Sequence, residues 1–227
     1  MYETHSKSTP QKLTLCGLHL VILFIAYWLM FLKGIDTLGD WFGFPINTGD
    51  ITRRYIIILC CVLYFIRFNI NDFIFLKREM KWSQALTIAL WLFIAYCTFS
   101  FTGGTHQEVI GRTEYSGLAL YVIGSILNSV SEWTRYNWKK KPEHYGHLYT
   151  GGLFKLSRHI NYFGDTLLFT GFAMLTRSGW SYIIPASLIV LFVYVNIPLL
   201  ESHLRSSYGH EFEDYSFRTD KFIPYIY

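Results

Sequence analysis

Long apolar segments dominate the pattern of hydrophobic and polar positions along the chain. A helix needs about 20 mostly apolar residues to cross the hydrocarbon core of a bilayer. The segments that approach this length are Leu13–Leu32, Tyr55–Leu76, Ala85–Phe101, Leu118–Trp133, Tyr162–Leu175, which is short, and Tyr182–Leu200. The pattern therefore predicts an all-α, multi-pass transmembrane helical bundle of about six spans.

The second predicted span is not uniformly apolar. Its last part carries Arg67, Asn69, Asn71 and Asp72. Polar and ionisable groups at membrane depth are costly in lipid and normally face a protein interior or a cavity. This end of the span is therefore predicted to face away from lipid.

Composition narrows the class of protein. Of the 227 residues, 52% are hydrophobic and 16% are charged, and the mean hydropathy is +0.25. A soluble domain carries about 25% charged residues, so the composition argues against a soluble enzyme, and the high hydrophobicity excludes intrinsic disorder. Four cysteines are too few for a disulfide scaffold. A net charge of +4 is too small to indicate a nucleic-acid partner.

Basic residues predict the orientation of the spans. They cluster after the second span, between the fourth and fifth spans, and after the sixth. Because cytosolic loops are enriched in Lys and Arg, segments 77–83 and 135–160 and the C-terminal tail are predicted to be cytosolic. Six spans then place both termini in the cytosol. The predicted location is a bacterial inner membrane or the endoplasmic reticulum, with membrane lipids as partners.

The composition changes near residue 130, where polar clusters begin to alternate with the apolar segments. The chain is predicted to be a single integral membrane domain. Residues 1–127 would mainly supply the spans around a substrate cavity, and residues 128–227 would form a cofactor-binding region with its pocket on the cytosolic side.

Three polar segments carry the candidate chemistry. Arg135 and Lys139 are four residues apart, so a helix places both on one face, and a phosphate between them would relieve their repulsion. An ordinary basic flank of a membrane span explains the same two charges. Two further segments follow, at the mouth of the fifth span and in the tail: Arg158, His159, Asn161, Tyr162 and Asp165, then Glu201, Tyr208, Tyr215 and Arg218.

In order along the chain, these segments resemble the C-terminal region of the steroid 5-alpha-reductase and sterol reductase superfamily, in particular its bacterial branch. The resemblance covers about residues 128–227. Upstream, the segment Cys61–Arg67 resembles a steroid 5-alpha-reductase segment in which a tyrosine before Phe-x-Arg is proposed to donate a proton. The C-terminal motifs are Gly152-Leu153-Phe154, Ser157–Asp165, Pro198–Glu201, Arg218-Thr219 and Phe222–Pro224.

The resemblance implies an NADPH-dependent enzyme that reduces a carbon–carbon double bond in a steroid-like, sterol-like or other lipophilic substrate. Tyr64 would be the proton donor and Glu201 a second catalytic group. Arg135 and Lys139 would hold the adenosine 2′-phosphate. The other implied cofactor residues are Arg158, His159, Asn161, Tyr162, Asp165, Tyr208, Tyr215 and Arg218.

The chain departs from the family pattern in three places. Ile160 stands where the family has proline. The Gln-Glu pair that precedes the tyrosine in steroid 5-alpha-reductases is missing, so no carboxylate is assigned to polarise the substrate. Leu200 stands before Glu201 where the sterol reductases have an acidic pair.

Two other classes of function stay open. Isoprenylcysteine carboxyl methyltransferases and phospholipid methyltransferases share the Arg-His-Pro-x-Tyr element and bind S-adenosylmethionine, which has no phosphate for Arg135 and Lys139. A membrane protein without catalytic activity is the third class. No metal site is predicted, because His144 and His147 have no third ligand nearby in the sequence. The sequence does not predict the substrate or the oligomeric state.

Overall fold

The structure is a computed structural model that describes residues 8–43 and 46–227. This part of the chain is helical and contains no strand. Three short 3-10 turns and two π-helical turns, at Asn71–Phe75 and Phe192–Asn196, accompany the helices. The helices are α1 (Thr9–Phe31), α2 (Gly34–Phe42), α3 (Ile51–Ile70), α4 (Trp82–Gly104), α5 (Arg112–Lys139), α6 (Ile160–Thr176), α7 (Ile183–Leu191), α8 (Ile197–Tyr208) and α9 (His210–Arg218).

Four helical segments are long and apolar enough to cross a membrane. They are Thr9–Phe31, Ile51–Phe75, Trp82–Gly104 and Gly179–Tyr208. Each contains one of the predicted spans or most of it, and their outer faces expose large apolar side chains such as Phe24 and Leu90. Such continuous apolar surfaces fit a membrane protein.

The other two predicted spans lie in α5 and α6. At 17 residues, α6 is about 25 Å long, which is shorter than the roughly 30 Å hydrocarbon core. The 28 residues of α5 include charged residues at both ends. Membrane crossing by these two helices stays a prediction.

Local sequence explains where several helices begin and bend. Asp50 caps α3, because its side chain accepts a hydrogen bond from the Arg53 N–H at 2.8 Å. The π-helical turn before α8 lies next to Pro198, which has no N–H to donate to the preceding turn. Gly209 has a φ of +47° and separates α8 from α9.

The chain divides into two compact units. Unit 1 comprises residues 1–119 and 171–184, and unit 2 comprises residues 120–170 and 185–227. Within unit 1, Lys12 on α1 donates hydrogen bonds to the carbonyl groups of Asp72 and Leu76, at 2.7 and 2.8 Å. A cation at the end of a helix satisfies carbonyl groups that have no helical partner.

Unit 1 also contains a buried ion pair. Arg53 and Glu114 are 1% and 2% exposed, and the guanidinium lies 2.9 Å from the carboxylate. Arg53 also donates to the carbonyl groups of Leu175 and Glu108. Burial raises the pKa of Glu114, but hydrogen bonds from the Gly111 N–H, from its own N–H and from Arg53 outweigh it, so the pKa is lowered and the carboxylate stays charged.

In unit 2, small residues allow α5 and α6 to approach closely. A side chain at Gly124 would collide with the backbone of Gly164 and Leu168, and one at Gly164 would meet Gly124 and Asn128. Glycine at such a crossing is typical of tightly packed membrane helices. The close approach brings the polar ends of α5 and α6 together.

Candidate functional site

Unit 2 contains a cavity of about 170 Å³. Its walls come from the end of α5, from the segment that joins α5 to α6, and from α8 and α9. The lining residues are Arg135, Lys139, Leu148, Tyr149, Phe154, Arg158, His159, Asn161, Leu200, Leu204, Tyr208 and Tyr215.

Arg158 anchors the segment before α6. Its guanidinium lies 2.9 Å from the Glu201 carboxylate on α8 and is 8% exposed. The same guanidinium donates to the carbonyl groups of Ser216 and Thr219. Charge-assisted hydrogen bonds of this kind are strong when they are buried. Arg158 therefore ties the tail to α8.

His159 lines the cavity and has one ring nitrogen that the fold does not use. Its Nε2 lies 3.3 Å from Glu201 Oε1, and because an ionised carboxylate only accepts, Nε2 carries the proton. The other nitrogen, Nδ1, is buried and has no hydrogen-bond partner among the residues that the structure describes. Burial lowers the pKa of His159, although Glu201 opposes this shift. The neutral ring therefore presents an acceptor at Nδ1.

Arg135 and Lys139 lie on the same side of α5, as their spacing predicts. Arg135 is bonded to Glu132 and its guanidinium lies over the Phe154 ring, 5.6 Å from the centroid. Lys139 donates to two neutral oxygens, the His147 carbonyl and the Tyr208 hydroxyl, each at 2.7 Å. Both cations keep N–H groups that these contacts do not use.

Tyr215 and Phe154 are among the aromatic residues that line the cavity. The Tyr215 hydroxyl donates to the Phe154 carbonyl at 2.6 Å. Burial raises the pKa of Tyr215, against the opposing charges of Arg158 and Arg135. Tyr215 is therefore a neutral donor whose hydrogen bond is already used by the fold.

Hydrogen bonds between polar side chains join α5 to α6 beside the cavity. Glu132 accepts a hydrogen bond from the Asn161 side chain at 2.8 Å, and Asn128 donates to Asp165 at 3.0 Å. Glu132, Asn128 and Asn161 are all buried. Buried polar groups that bond to each other fix the spacing of two helices.

The tip of the segment between α5 and α6 is fastened to α9. The Glu211 carboxylate accepts from His147 Nδ1 at 2.6 Å and from the Leu148 N–H at 2.8 Å. Hydrogen bonds from the Leu148 N–H and from His147 lower the pKa of Glu211. The latch lies in solvent, since His147 and Glu211 are 59% and 44% exposed.

A larger cavity of about 420 Å³ borders another face of α8. Its lining residues are Pro198, Glu201, Ser202, Arg205 and Ser206. Arg205 gives this cavity a cation of its own, and Glu201 links it to the contacts of Arg158 and His159.

Most of the cofactor residues predicted from the sequence line the 170 Å³ cavity. Three do not. Tyr162 is stacked between the rings of His159 and Phe192, Asp165 is bonded to Asn128, and Arg218 is exposed at the end of α9. The residues that line the cavity are Arg135, Lys139, Arg158, His159, Asn161, Tyr208 and Tyr215. Their role toward a cofactor stays a prediction.

Sequence reasoning missed several cavity residues. Leu148, Tyr149 and Phe154 belong to a segment without regular periodicity, and Leu204 precedes the predicted Tyr208 by one helical turn. Leu204 could have been found from that spacing alone, because residues four apart share a helix face. Glu201 contacts Arg158 and His159, which are the contacts of a positioning residue, and a catalytic role for it stays a prediction.

Tyr64 lies on α3 in unit 1 and is buried. The Arg67 guanidinium lies over its ring, 5.0 Å from the centroid. A guanidinium over an aromatic face makes a cation–π contact. The role that the sequence predicts for Tyr64 stays a prediction.

Comparison with known proteins finds one family profile and two similar proteins. A family profile described as "Protein of unknown function (DUF1295)" matches residues 78–219, and this family belongs to the steroid 5-alpha-reductase-like group. The chain is similar to the "Probable O-methyltransferase ustE" of Ustilaginoidea virens, at 34% identity over 98 residues, which is 41% of this chain. It is also similar to rat "3-oxo-5-alpha-steroid 4-dehydrogenase 1", at 28% identity over 111 residues, which is 49% of this chain. The alignments span 34% and 41% of the lengths of these two relatives.

Proposed function

The chain belongs to the DUF1295 family of the steroid 5-alpha-reductase-like group, and from this premise we propose that it is a membrane-embedded, NADPH-dependent reductase. The reaction is reduction of a carbon–carbon double bond in a lipophilic substrate. The observation that carries the proposal is the cavity in unit 2, where cations and an unused buried acceptor lie together.

The residues present fit one end of a phosphorylated dinucleotide. Arg135 and Lys139 offer unused N–H groups to a phosphate, and His159 Nδ1 offers an acceptor to a ribose hydroxyl. A cavity of about 170 Å³ is smaller than the 300–1,000 Å³ of a typical ligand pocket. The proposal therefore assigns another part of the cofactor to the larger cavity, where Arg205 is the cation.

Within unit 2, side chains of the protein bind and orient the cofactor. Glu201 holds Arg158 and fixes the ring of His159, so the acceptor at Nδ1 keeps one direction. Lys139 and Arg135 select for a 2′-phosphate by charge. Bound NADPH supplies a hydride.

Within unit 1 the chain supplies the proton. Tyr64 Oη donates its proton to the substrate, and the adjacent Arg67 guanidinium stabilises the phenolate that remains. Because Tyr64 is buried, its proton is shielded from exchange with bulk water.

The topology of the proposed enzyme follows the basic residues. We propose six spans, with α5 and α6 completing the four that are apolar enough on their own. Because Lys140 and Lys141 follow α5 directly and cytosolic loops are rich in basic residues, we propose that the cavity of unit 2 is on the cytosolic side. Both termini are then cytosolic, in a bacterial inner membrane or the endoplasmic reticulum.

A membrane methyltransferase is the second candidate, because one relative is named a probable O-methyltransferase and is 34% identical over the aligned residues. Under this alternative the same cavity takes S-adenosylmethionine. His159 and Tyr208 would then contact its ribose and adenine, and the phosphate-binding capacity of Arg135 and Lys139 would serve no purpose.

Ligand-induced stabilisation of the detergent-purified protein distinguishes the two candidates. The thermal unfolding midpoint is measured with NADPH, NADH or S-adenosylmethionine. A ligand at 100 times its Kd stabilises by about 2.7 kcal/mol, which is easily measured. We expect NADPH to stabilise more than NADH, and the double variant Arg135→Met with Lys139→Met to erase the difference.

The matched control is Lys140→Met with Lys141→Met, which removes the same charge from two exposed neighbours. This control should keep the preference for NADPH. Stabilisation by S-adenosylmethionine alone would support the methyltransferase. A protein that none of the three ligands stabilises would overturn both enzymatic proposals.

A further inference from the structure

A short basic turn in unit 1 joins two of the segments that are apolar enough to cross a membrane. The segment Ile51–Phe75 ends directly before this turn, which comprises residues 76–81, and the segment Trp82–Gly104 begins directly after it. Six residues that leave a membrane and return to it reach about 10 Å from it at most. In a bilayer, the 76–81 turn therefore lies at the level of the lipid headgroups.

The inner side of the 76–81 turn is fixed by contacts with α1 and with the residue before it. Lys12 donates a hydrogen bond to the Leu76 carbonyl at 2.8 Å, and the Ser8 hydroxyl accepts one from the Met80 N–H at 2.9 Å. The Met80 side chain is buried in a hydrophobic cluster with Leu15. Because these contacts hold the inner side, the outer side of the turn has a defined shape.

The outer side of the 76–81 turn is positively charged. Lys77 and Lys81 are exposed, and Arg78 is half-buried. Within the turn only Glu79 is acidic, and the buried Asp72 offsets part of the charge of Arg78. The Lys81 ammonium makes no hydrogen bond or ion pair with residues 8–43 and 46–227. The turn therefore offers an excess of positive charge to an anion.

An apolar stripe on α4 continues directly from this charged turn. Trp82, Leu86 and Leu90 follow Lys81 at intervals of four residues and are all exposed. Residues four apart lie above one another on a helix, so the stripe is about 12 Å long. Tryptophan is enriched where the hydrocarbon core meets the headgroups. A cation above an apolar stripe matches the two halves of an anionic phospholipid.

We propose that the 76–81 turn and the stripe below it bind an anionic phospholipid. Lys81 and Lys77 contact the headgroup phosphate, and an acyl chain lies along Trp82 and Leu86. Residues 77–83 are predicted to be cytosolic, and the cytosolic leaflet is the one that carries anionic lipids. The lipid site uses no residue of the cavity in unit 2, so it is independent of the proposed reductase activity.

The test uses the quenching of tryptophan fluorescence by lipids with brominated acyl chains. The detergent-purified full chain is titrated with brominated phosphatidylglycerol, or with phosphatidylcholine that carries the same chains and no net charge. The difference between wild type and Trp82→Phe isolates the signal of Trp82 among the seven tryptophans. We expect phosphatidylglycerol to quench Trp82 at a concentration at least about fivefold lower than phosphatidylcholine does.

Charge-removing variants test where the preference arises. Lys77→Met combined with Lys81→Met should abolish the preference for phosphatidylglycerol and leave the titration with phosphatidylcholine unchanged. The matched control is Lys33→Met combined with Lys155→Met, which removes two exposed lysines far from this turn in the sequence. The control should keep the preference, whereas a general attraction of lipid to the net charge of the protein would be weakened equally by both double variants.

Three results would overturn the proposal. One is equal quenching of Trp82 by the two lipids, and another is a preference that survives in Lys77→Met with Lys81→Met. The third is displacement of phosphatidylglycerol by an equal concentration of glycerol 1-phosphate, which would assign the cations to a soluble phosphate. The first and third results are obtained without removing a lysine. No NADPH is present, so failure here is distinct from failure of NADPH to stabilise the protein.

Discussion

Ionisable side chains are packed within both unit 1 and unit 2, but the two units use them differently. In unit 1, Arg53 and Glu114 form an ion pair, and Lys12 donates its hydrogen bonds to backbone carbonyl groups. In unit 2, Lys139 and His159 line a cavity and keep hydrogen-bonding capacity that the fold does not use. Burial of a charge is therefore weaker evidence of function than unused capacity at a cavity.

Unused hydrogen-bonding capacity also distinguishes the buried polar groups within unit 1 from each other. The Arg53 ion pair is packed among helix ends and carbonyl groups, and it is explained by the fold alone. The buried His19 on α1 is different, because the fold uses only one of its two ring nitrogens. Polar groups that the fold explains should affect stability, and those that it does not explain should affect ligand binding.

Breaking the Arg53 ion pair should have the largest effect on stability. Arg53→Met removes the nearest cation from the buried Glu114 carboxylate and leaves Arg177, at 3.8 Å, so we expect the free energy of unfolding to fall by about 3 kcal/mol. Stabilisation by saturating NADPH should not change. Thermal unfolding in detergent, with and without NADPH, measures both quantities.

Two comparisons sharpen this prediction. Arg53→Met combined with Glu114→Leu should recover much of the loss, because it also removes the buried carboxylate that lost its nearest cation. Arg54→Met is the matched control, since Arg54 is the next residue on α3 and is only half-buried. If Arg53→Met also loses stabilisation by NADPH, a polar group that the fold explains would affect ligand binding as well as stability.

Glu201→Gln should have a smaller effect on stability and a larger effect on binding. The change weakens the hydrogen bonds to Arg158 and His159. We therefore expect the free energy of unfolding to fall by about 2 kcal/mol. It also frees the His159 ring, so NADPH should bind about tenfold more weakly. Unfolding midpoints measured over a range of NADPH concentrations give both numbers.

Glu213→Gln is the control for this substitution, because Glu213 is exposed on α9 and takes no part in the cavity. It should change neither quantity. If Glu201→Gln destabilises the protein and leaves NADPH binding intact, Glu201 serves the fold alone.

The helical fold was predictable because hydrophobic periodicity is a local property. The apolar segments at 13–32 and 85–101 lie in α1 and α4. The ends of helices depend on distant residues. α1 begins at Thr9, before the apolar segment, and its Lys12 is held by the carbonyl groups of Asp72 and Leu76, about 60 residues away. No pattern in the first 20 residues indicates that contact.

The candidate site was predictable only where its residues lie on helices. Arg135 and Lys139 share a face because of their spacing. By contrast, the path of residues 140–159 depends on contacts with α8, α9 and the tail, such as that of Arg158 with Glu201. The sequence therefore did not predict Tyr149 as a cavity residue. It did predict Arg218, which is exposed at the end of α9.

The latch between Glu211 and the segment at 147–148 should have the smallest effect, less than about 1 kcal/mol, because it is solvent-exposed. The direction in which pH changes this stabilisation follows from the pKa of Glu211. The pKa of Glu211 lies below its ordinary value of 4.5 in the folded protein. The latch therefore stabilises the fold above pH 4.5, and this contribution is lost as the pH falls through the lowered pKa.

Glu211→Gln should accordingly lower the unfolding midpoint at about pH 6, and the effect should shrink as the pH falls below 4.5. Amide hydrogen exchange at Leu148, whose N–H donates to Glu211, should become faster in the variant at the higher pH. Glu143→Gln is the control, because Glu143 is 69% exposed in the same segment and takes no part in the latch. A difference between wild type and Glu211→Gln that does not diminish as the pH falls would show that the carboxylate charge does not hold the tip in place.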